Sequence, residues 1–118
     1  MAKEGEMSLF LQFLGDKPKW RVIDFLLENR LQGFTKTEIA KGAGLSWAAL
    51  HQHWGGIERK RIVVPIRTVG RAKLYQLNGK SHLVMLLKSI EATLIKDAAD
   101  AEEEAASMKV QSRAMKKK

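Results

Sequence analysis

Residues 35–60 place two helix starts in close succession, and this spacing limits the possible folds more than any other feature. Thr35 and Glu38 form the pattern of a capping box, in which the threonine hydroxyl and the glutamate carboxylate each accept a backbone N–H. Ser46 is a favourable N-cap for a second helix. Glycines within residues 42–44 predict that the first helix is short. The pattern therefore predicts two helices joined by a tight turn.

The second of these helices is predicted over residues 46–60, with one apolar face. Leu50, Trp54 and Ile57 follow one another at spacings of four and three residues. This spacing places them on the same side of a helix, and we expect that side to be buried.

A helix is also predicted upstream, over residues 16–30. Asp16 can cap it, and Pro18 suits its first turn, where the missing N–H is not needed. Its apolar residues recur at the spacing of a helix with one buried face: Trp20, Ile23, Leu26 and Leu27. Residues 8–14 are apolar and fit either a strand or a short helix.

A β-hairpin is predicted over residues 62–78. Residues 62–66 are rich in β-branched side chains, which favour a strand, but Pro65 cannot donate to a ladder, so we expect an edge or kinked strand. Gly70 can take the positive φ of the turn. Residues 73–77 then return as the second strand.

A long helix is predicted from Ser81, with an apolar stripe that follows a heptad pattern interrupted by one extra four-residue step. A single stripe with little else to bury it usually pairs with another helix. We therefore predict a dimerisation helix over residues 81–108, after a separate domain over residues 1–80, and a disordered basic tail over residues 109–118. The expected dimer contacts are Leu83, Leu87, Ile90, Leu94, Ala98 and Ala101.

The charge distribution points to an anionic partner. The net charge is +8, and residues 97–118 hold five acidic and five basic side chains, so the whole excess lies in residues 1–96. Between Glu58 and Lys80 there are seven basic residues and one acid. A solubilising surface would be an alternative, but this clustering favours a stripe that faces phosphates.

Several classes of site are excluded or unsupported. The chain has no cysteine, which excludes disulfides and thiolate metal sites. His51 and His53 stand two residues apart, so on a helix their rings point about 200° apart and cannot hold one ion. We expect neither a metal nor another cofactor. No nucleophile motif or phosphate loop is present, and we expect that the protein is not an enzyme.

The N-terminal residues carry charges of both signs, which is not typical of a signal peptide. No apolar run approaches the length of about 18 residues that a membrane span needs. We therefore expect a cytoplasmic, nucleoid-associated protein without a membrane partner.

The order of the predicted elements is that of a winged helix-turn-helix. Residues 35–78, with Gly44-Leu45-Ser46 at the turn and "VGRAKLYQLN" at the wing, resemble winged-helix repressors of the ArsR/MarR-like superfamily. They are most similar to small archaeal regulators of that type, and the resemblance covers about residues 9–95. It implies a mainly α (α+β) fold with a two-stranded wing and a long C-terminal dimerisation helix. It also implies a dimeric transcriptional repressor that binds specific double-stranded DNA.

In a fold of this kind the helix over residues 46–60 enters the major groove with its N-terminal residues toward the bases. The expected recognition residues are Ser46, Trp47, Ala48, Ala49, His51 and Gln52. The expected wing contacts to backbone or minor groove are Arg67, Arg71 and Lys73. The expected phosphate contacts are Lys36, Thr37 and Lys60, together with Lys19 and Arg21 on the first helix. For Trp47, packing against a neighbouring helix is an equal alternative.

Two features depart from the family's pattern. Gly55 and Gly56 lie inside the recognition helix, where each glycine costs about 1 kcal/mol relative to alanine. Arg61 stands where the family usually has a glycine at the helix end, which leaves the angle of the wing open.

Two other functions also remain as alternatives: a nonspecific nucleic-acid-coating, chromatin-like protein, and a winged-helix module for protein interaction.

Overall fold

The computed structural model describes residues 7–116, with side chains described to residue 110. The elements in chain order are α1 (Leu9–Leu14), α2 (Pro18–Glu28), α3 (Lys36–Gly42), α4 (Trp47–Arg59), β1 (Val63–Val69), β2 (Ala72–Leu77) and α5 (His82–Lys116). This is a winged helix-turn-helix with a two-stranded antiparallel wing and a long C-terminal helix, and the predicted fold class is confirmed.

The two helix starts form as the local sequence dictates. The Thr35 Oγ1 accepts the backbone N–H of Glu38 at 3.2 Å, and the Glu38 carboxylate accepts that of Thr35 at 2.8 Å. The Ser46 Oγ accepts the backbone N–H of Ala49 at 3.1 Å. Gly44 takes a φ of 69° in the turn between the helices, a left-handed conformation in which a Cβ would be strained.

The structure decides between helix and strand for the first apolar segment and corrects the predicted cap of α2. Residues 9–14 form a helix rather than a strand, and its N-cap Ser8 accepts the backbone N–H of Leu11. Asp16 does not cap α2. The N-cap is Lys17, which makes no side-chain capping bond, while the Asp16 carboxylate lies 3.0 Å from the Arg21 guanidinium. A cation one turn along the helix therefore competes successfully for the carboxylate.

The wing lies within the predicted residues 62–78 and is irregular at the proline. β1 and β2 pair in antiparallel register, with a shift between Pro65 and Arg67 because Pro65 has no N–H to donate. Gly70 makes the turn with a φ of 63°. Phe34, just before α3, exchanges two backbone hydrogen bonds of 2.8 Å with Tyr75. These bonds tie the base of the wing to the start of α3.

The hydrophobic core lies where α1, α2, α3, α4, the wing and the start of α5 meet. Val84 and Leu87 of α5 are fully or nearly fully buried in it. Leu87 therefore belongs to the core of its own chain, although the heptad pattern predicted a dimer contact. The expected domain boundary after residue 80 runs through this core, because α5 begins to pack within its first turn.

The C-terminal helix also continues beyond its expected end. α5 extends to Lys116, so residues 109–116 of the predicted disordered tail are helical, and residues 117–118 lie outside the described part. The sequence after residue 108 contains neither glycine nor proline to stop the helix. Its basic residues also favour the negative end of the helix dipole.

The capping box makes a prediction about stability. We expect Thr35→Ala to lower the free energy of unfolding by about 1 kcal/mol, because the Glu38 N–H loses its acceptor. Urea denaturation followed by circular dichroism measures this change. Thr37→Ala, on the exposed first turn of the same helix, is the matched control and should change stability by less than about 0.5 kcal/mol. Equal effects of the two substitutions would contradict the capping role.

A buried carboxylate links α1 to α2. Asp24 is 9% exposed, and its Oδ1 accepts the Ser8 hydroxyl at 2.9 Å. Burial raises the pKa of Asp24, while the bond from Ser8 lowers it by a smaller amount. The folded chain therefore holds this proton more tightly than the unfolded chain does. The associated stability is complete below the unfolded pKa, near 3.8, and is lost as the pH rises through the raised value.

We therefore expect Asp24→Asn to raise the urea midpoint at pH 7 and to reduce the loss of stability as the pH rises above 3.8. An asparagine keeps an oxygen that can accept the Ser8 hydroxyl but carries no buried charge. Denaturation series at several pH values measure both effects. Asp97→Asn, at an exposed position of α5, should alter neither. A lower midpoint for Asp24→Asn at pH 7 would show that the charge itself stabilises the fold.

Candidate nucleic-acid interface

The packing of α4 decides which of its side chains reach solvent. Leu50, Trp54 and Ile57 are buried against the core, as their spacing predicted. The opposite side of the helix carries a row with spacings of four, three and four residues: Ala48, Gln52, Gly55 and Arg59. The recognition residues Ala48 and Gln52 therefore lie on the most outward line of the helix.

Trp47 lies at the edge of this face and is 53% exposed. It does not pack into the neighbouring helix. Its ring stacks on the imidazole of His51, with centroids 6.1 Å apart and planes 22° apart. Ala49 is half-buried, and the Ser46 hydroxyl is engaged in the helix cap. The structure thus brings Trp47, His51 and Gln52 to the surface while Ser46 and Ala49 shape the helix end.

The two histidines separate as their spacing predicted. His51 is exposed beside Trp47, whereas His53 is half-buried and lines a depression on the other flank of α4. Within residues 7–110, no three histidine, cysteine or acidic side chains come together as a metal site would require.

The wing presents three cations to solvent. Arg67, Arg71 and Lys73 are exposed, and Arg71 directly follows the turn residue Gly70. Among the described side chains none of these three cations forms an ion pair with an acidic residue. Their charges are therefore available to an external anion.

A groove joins the wing to the start of α3 and gathers three of the predicted contacts. Lys36 and Thr37 line it from α3, and Lys73 lines it from β2. The Lys36 ammonium lies 5.5 Å from the centroid of the Trp54 ring and 5.8 Å from that of Tyr75. These cation–π contacts hold the ammonium at the groove. Burial, together with the nearby Glu58 charge, raises the pKa of Tyr75, so its phenol stays neutral at physiological pH.

Arg61 forms the link between α4 and the wing, at the position where the family usually has a glycine. Its φ is 55°, the left-handed conformation that a glycine adopts easily at a helix end. The Asn78 amide donates to the Arg61 carbonyl at 2.9 Å, and Ile62 follows directly into the core. The chain therefore makes the expected turn with an arginine, and the hydrogen bond from Asn78 helps to fix the wing.

Sequence reasoning missed Arg59 as a member of this surface, whereas it included Lys19 among the expected phosphate contacts. Lys60, which was predicted as a phosphate contact, lies with both of them and with Gln52 around the same depression. For Arg59 a signal was present, because it stands seven residues after Gln52 and thus on the same side of a helix. Lys19 was expected to contact phosphate from the first helix, and the packing of α2 on α4 places it beside Lys60 and Arg59.

Comparisons with known proteins identify the fold. No model of a known protein family and no curated protein matches the sequence. MepR, a transcription regulator of the Staphylococcus aureus multidrug efflux pump MepA, is similar with a TM-score of 0.57 and 22% identity. This match covers 89% of the present chain and 80% of the MepR chain.

Two further solved structures share the fold. An S. aureus MepR mutant bound to an oligodeoxyribonucleotide is similar with a TM-score of 0.61 and 17% identity, over 91% of this chain and 81% of that one. The adhesin competence repressor AdcR from Streptococcus pyogenes has a TM-score of 0.52 and 14% identity, over 75% of this chain and 65% of that one. At these identities the likeness establishes a common winged-helix architecture.

No helix between residues 7 and 116 combines the length and the apolar character that a membrane span requires.

Proposed function

We propose that this protein is a sequence-specific regulator of transcription that binds double-stranded DNA, acts as a homodimeric repressor and has no enzymatic activity. The observation that carries the proposal is the outward face of α4. It presents Gln52 and His51 on a helix flanked by two groups of cations, on the wing and at the start of α3. A helix of this kind fits the major groove, and the cations are placed for the phosphates on either side.

Each exposed group has a definite role in the proposal. The Gln52 amide can pair with adenine through its N6 and N7 atoms, and the His51 ring can donate to a base or a phosphate. Ala48 permits close approach and can touch a thymine methyl. Trp47 packs on His51 and limits its motion. The wing residues Arg67, Arg71 and Lys73 contact the adjacent backbone or minor groove, and Lys36, Thr37 and Lys60 contact phosphates.

The fold comparisons support this proposal. The names of the similar structures describe a transcription regulator and a repressor, and one of those structures contains an oligodeoxyribonucleotide. A protein with this function would work in the cytoplasm, at the nucleoid. A closer kinship with the small archaeal regulators stays a prediction from residues 35–78.

An apolar groove between α1 and α5 supports dimerisation. Phe13 is 66% exposed and Leu86 is 49% exposed, and they line the groove with Ile90 and Leu94. Exposed apolar side chains that cluster in this way are typical of an interface. We assign the groove to a second copy of the chain. Leu83 and the further residues Ala98 and Ala101 extend the same surface along α5, while Leu87 is excluded by its burial in the core.

The charges on α5 favour an antiparallel arrangement of the two copies. Residues 82–96 carry Lys88 and Lys96 against the single acid Glu91, which binds Arg30. Residues 97–108 carry five acids and no base. A parallel pair in register would place acid beside acid, whereas an antiparallel pair places the acidic half of one helix against the basic half of the other.

Selection from random DNA duplexes tests sequence specificity. We expect an enriched motif with two related halves, because a dimer presents two recognition helices. In competition at fixed salt, Gln52→Ala should relax the preference at one base position, at a cost of about 1–3 kcal/mol against the preferred base. Arg71→Ala should weaken binding to all duplexes by a similar factor.

Two other results would support the alternative functions instead. Tight binding without any enriched motif, with a steep dependence on salt, would identify a nonspecific nucleic-acid-coating protein. No binding to duplex DNA at moderate salt would favour a protein-interaction module. Either result would overturn the proposed specific regulator.

The dimer surface is tested by placing a charge in the groove. Leu86→Glu should convert a dimer to a monomer in sedimentation equilibrium, because a dimer would bury an unpaired carboxylate. The matched control is Met85→Glu, since Met85 is 54% exposed but lies outside the groove. That variant should remain dimeric. A dimer that persists in the Leu86→Glu variant would remove the groove from the interface.

A further inference from the structure

A depression beside the C-terminal half of α4 is lined by cationic and polar side chains. Lys19 of α2 stands on one side, and Arg59 and Lys60 of α4 stand on the other. Gln52, His53 and Gly56 complete its rim, the buried Ile57 and Ile62 form its floor, and the depression has a volume of about 250 Å³. No acidic side chain lines it. Its position next to Gln52 makes it continuous with the outward face of α4.

The glycines at this site are not required by the fold of the chain. Neither Gly55 nor Gly56 has a positive φ, so their backbone conformation suits any residue. A Cβ on Gly55 would meet only the Arg59 guanidinium, with Nη1 at 3.3 Å, and one on Gly56 would meet only its Nη2, at 4.0 Å. Two residues that weaken a helix therefore occupy positions where alanine would fit without displacing the core.

The same distances describe how Arg59 is placed. Its guanidinium lies across the two glycines, against the surface of α4, where a side chain at position 55 would shift it and one at position 56 would touch it. In the described part of the chain it forms no salt bridge with an acidic residue. An arginine in this arrangement presents its planar set of donors to an anion that approaches the helix surface.

We propose that this depression is the seat of one DNA backbone phosphate, held by Arg59, Lys60 and Lys19. Gly55 and Gly56 leave room for the Arg59 guanidinium to lie close to the main chain of α4, at the edge of the depression. This inference rests on the proposed DNA-binding function and adds the second edge of the interface to it. The wing and α3 hold the backbone on one side of the groove, and the depression holds it on the other.

The dependence of affinity on salt tests the phosphate contact. Fluorescence anisotropy with one labelled duplex, taken from the random selection, gives the slope of the logarithm of affinity against that of salt concentration. Arg59→Ala should weaken binding and reduce the magnitude of this slope by about one. Lys109→Ala removes one cation from the far part of α5 and is the matched control. It should leave the slope unchanged.

The glycines are tested by the double variant Gly55→Ala, Gly56→Ala. We expect its thermal midpoint to rise, because alanine favours the helix, while its affinity for the same duplex falls several-fold. In this background Arg59→Ala should cost less affinity than in the unsubstituted chain, since the guanidinium is already displaced. A variant that melts higher and binds as tightly as the unsubstituted chain would overturn the role of the glycines.

The outcomes separate this inference from the proposed function. If Arg59→Ala keeps the full salt slope while Gln52→Ala still relaxes one base position, the regulator stands and the phosphate seat is refuted. If the unsubstituted chain binds all duplexes equally and Arg59→Ala lowers the slope, the phosphate seat is supported and the proposed sequence-specific function is refuted. Absence of any binding to duplex DNA would overturn both.

Discussion

The burial of one face of α4 is the constraint on which the rest of the structure depends. Leu50, Trp54 and Ile57 fill the centre of the core, and the Trp54 ring meets Tyr75 of the wing edge-on, with centroids 4.9 Å apart. This contact joins the helix to the hairpin. Once that face is fixed, the direction of every other side chain on α4 is also fixed, because helical geometry leaves no freedom to rotate it. The outward row from Ala48 to Arg59 is a consequence of the core.

The elements of the proposed interface serve both the packing of the core and the placement of positive charge. Lys36 lies over rings of the core at the edge of the groove that Lys73 also lines, so packing and the placement of charge are coupled there. On the other flank, α2 packs on α4 and carries Lys19 to the depression around Arg59. The cations are far apart in the sequence but border one helix, α4. A small domain can thus surround a groove-binding helix with positive charge without a dedicated second domain.

α5 combines two environments along one helix. Its first turns contribute Val84 and Leu87 to the core, whereas Leu86, one residue away, lines the open groove with Phe13. A heptad pattern predicts that a helix has an apolar stripe, but it does not say which surface covers it. The assignment of Leu87 to a dimer failed for this reason, while Leu86 and Phe13 were not anticipated. The extent of the helix was underestimated because a polar, lysine-rich end was interpreted as disorder.

Local features were determined by the sequence alone: the capping box at Thr35, the cap at Ser46, the turn at Gly44 and the hairpin around Gly70. Each depends on residues within a few positions of one another, so its physics is complete in a short segment. The order of these elements was sufficient to predict the winged helix-turn-helix. Only the tertiary structure decided that Asp16 binds Arg21, that Leu87 is internal and that Lys19 lines the same depression as Arg59. These outcomes depend on which surfaces the helices present to one another, and that choice is made by the packing of the whole core.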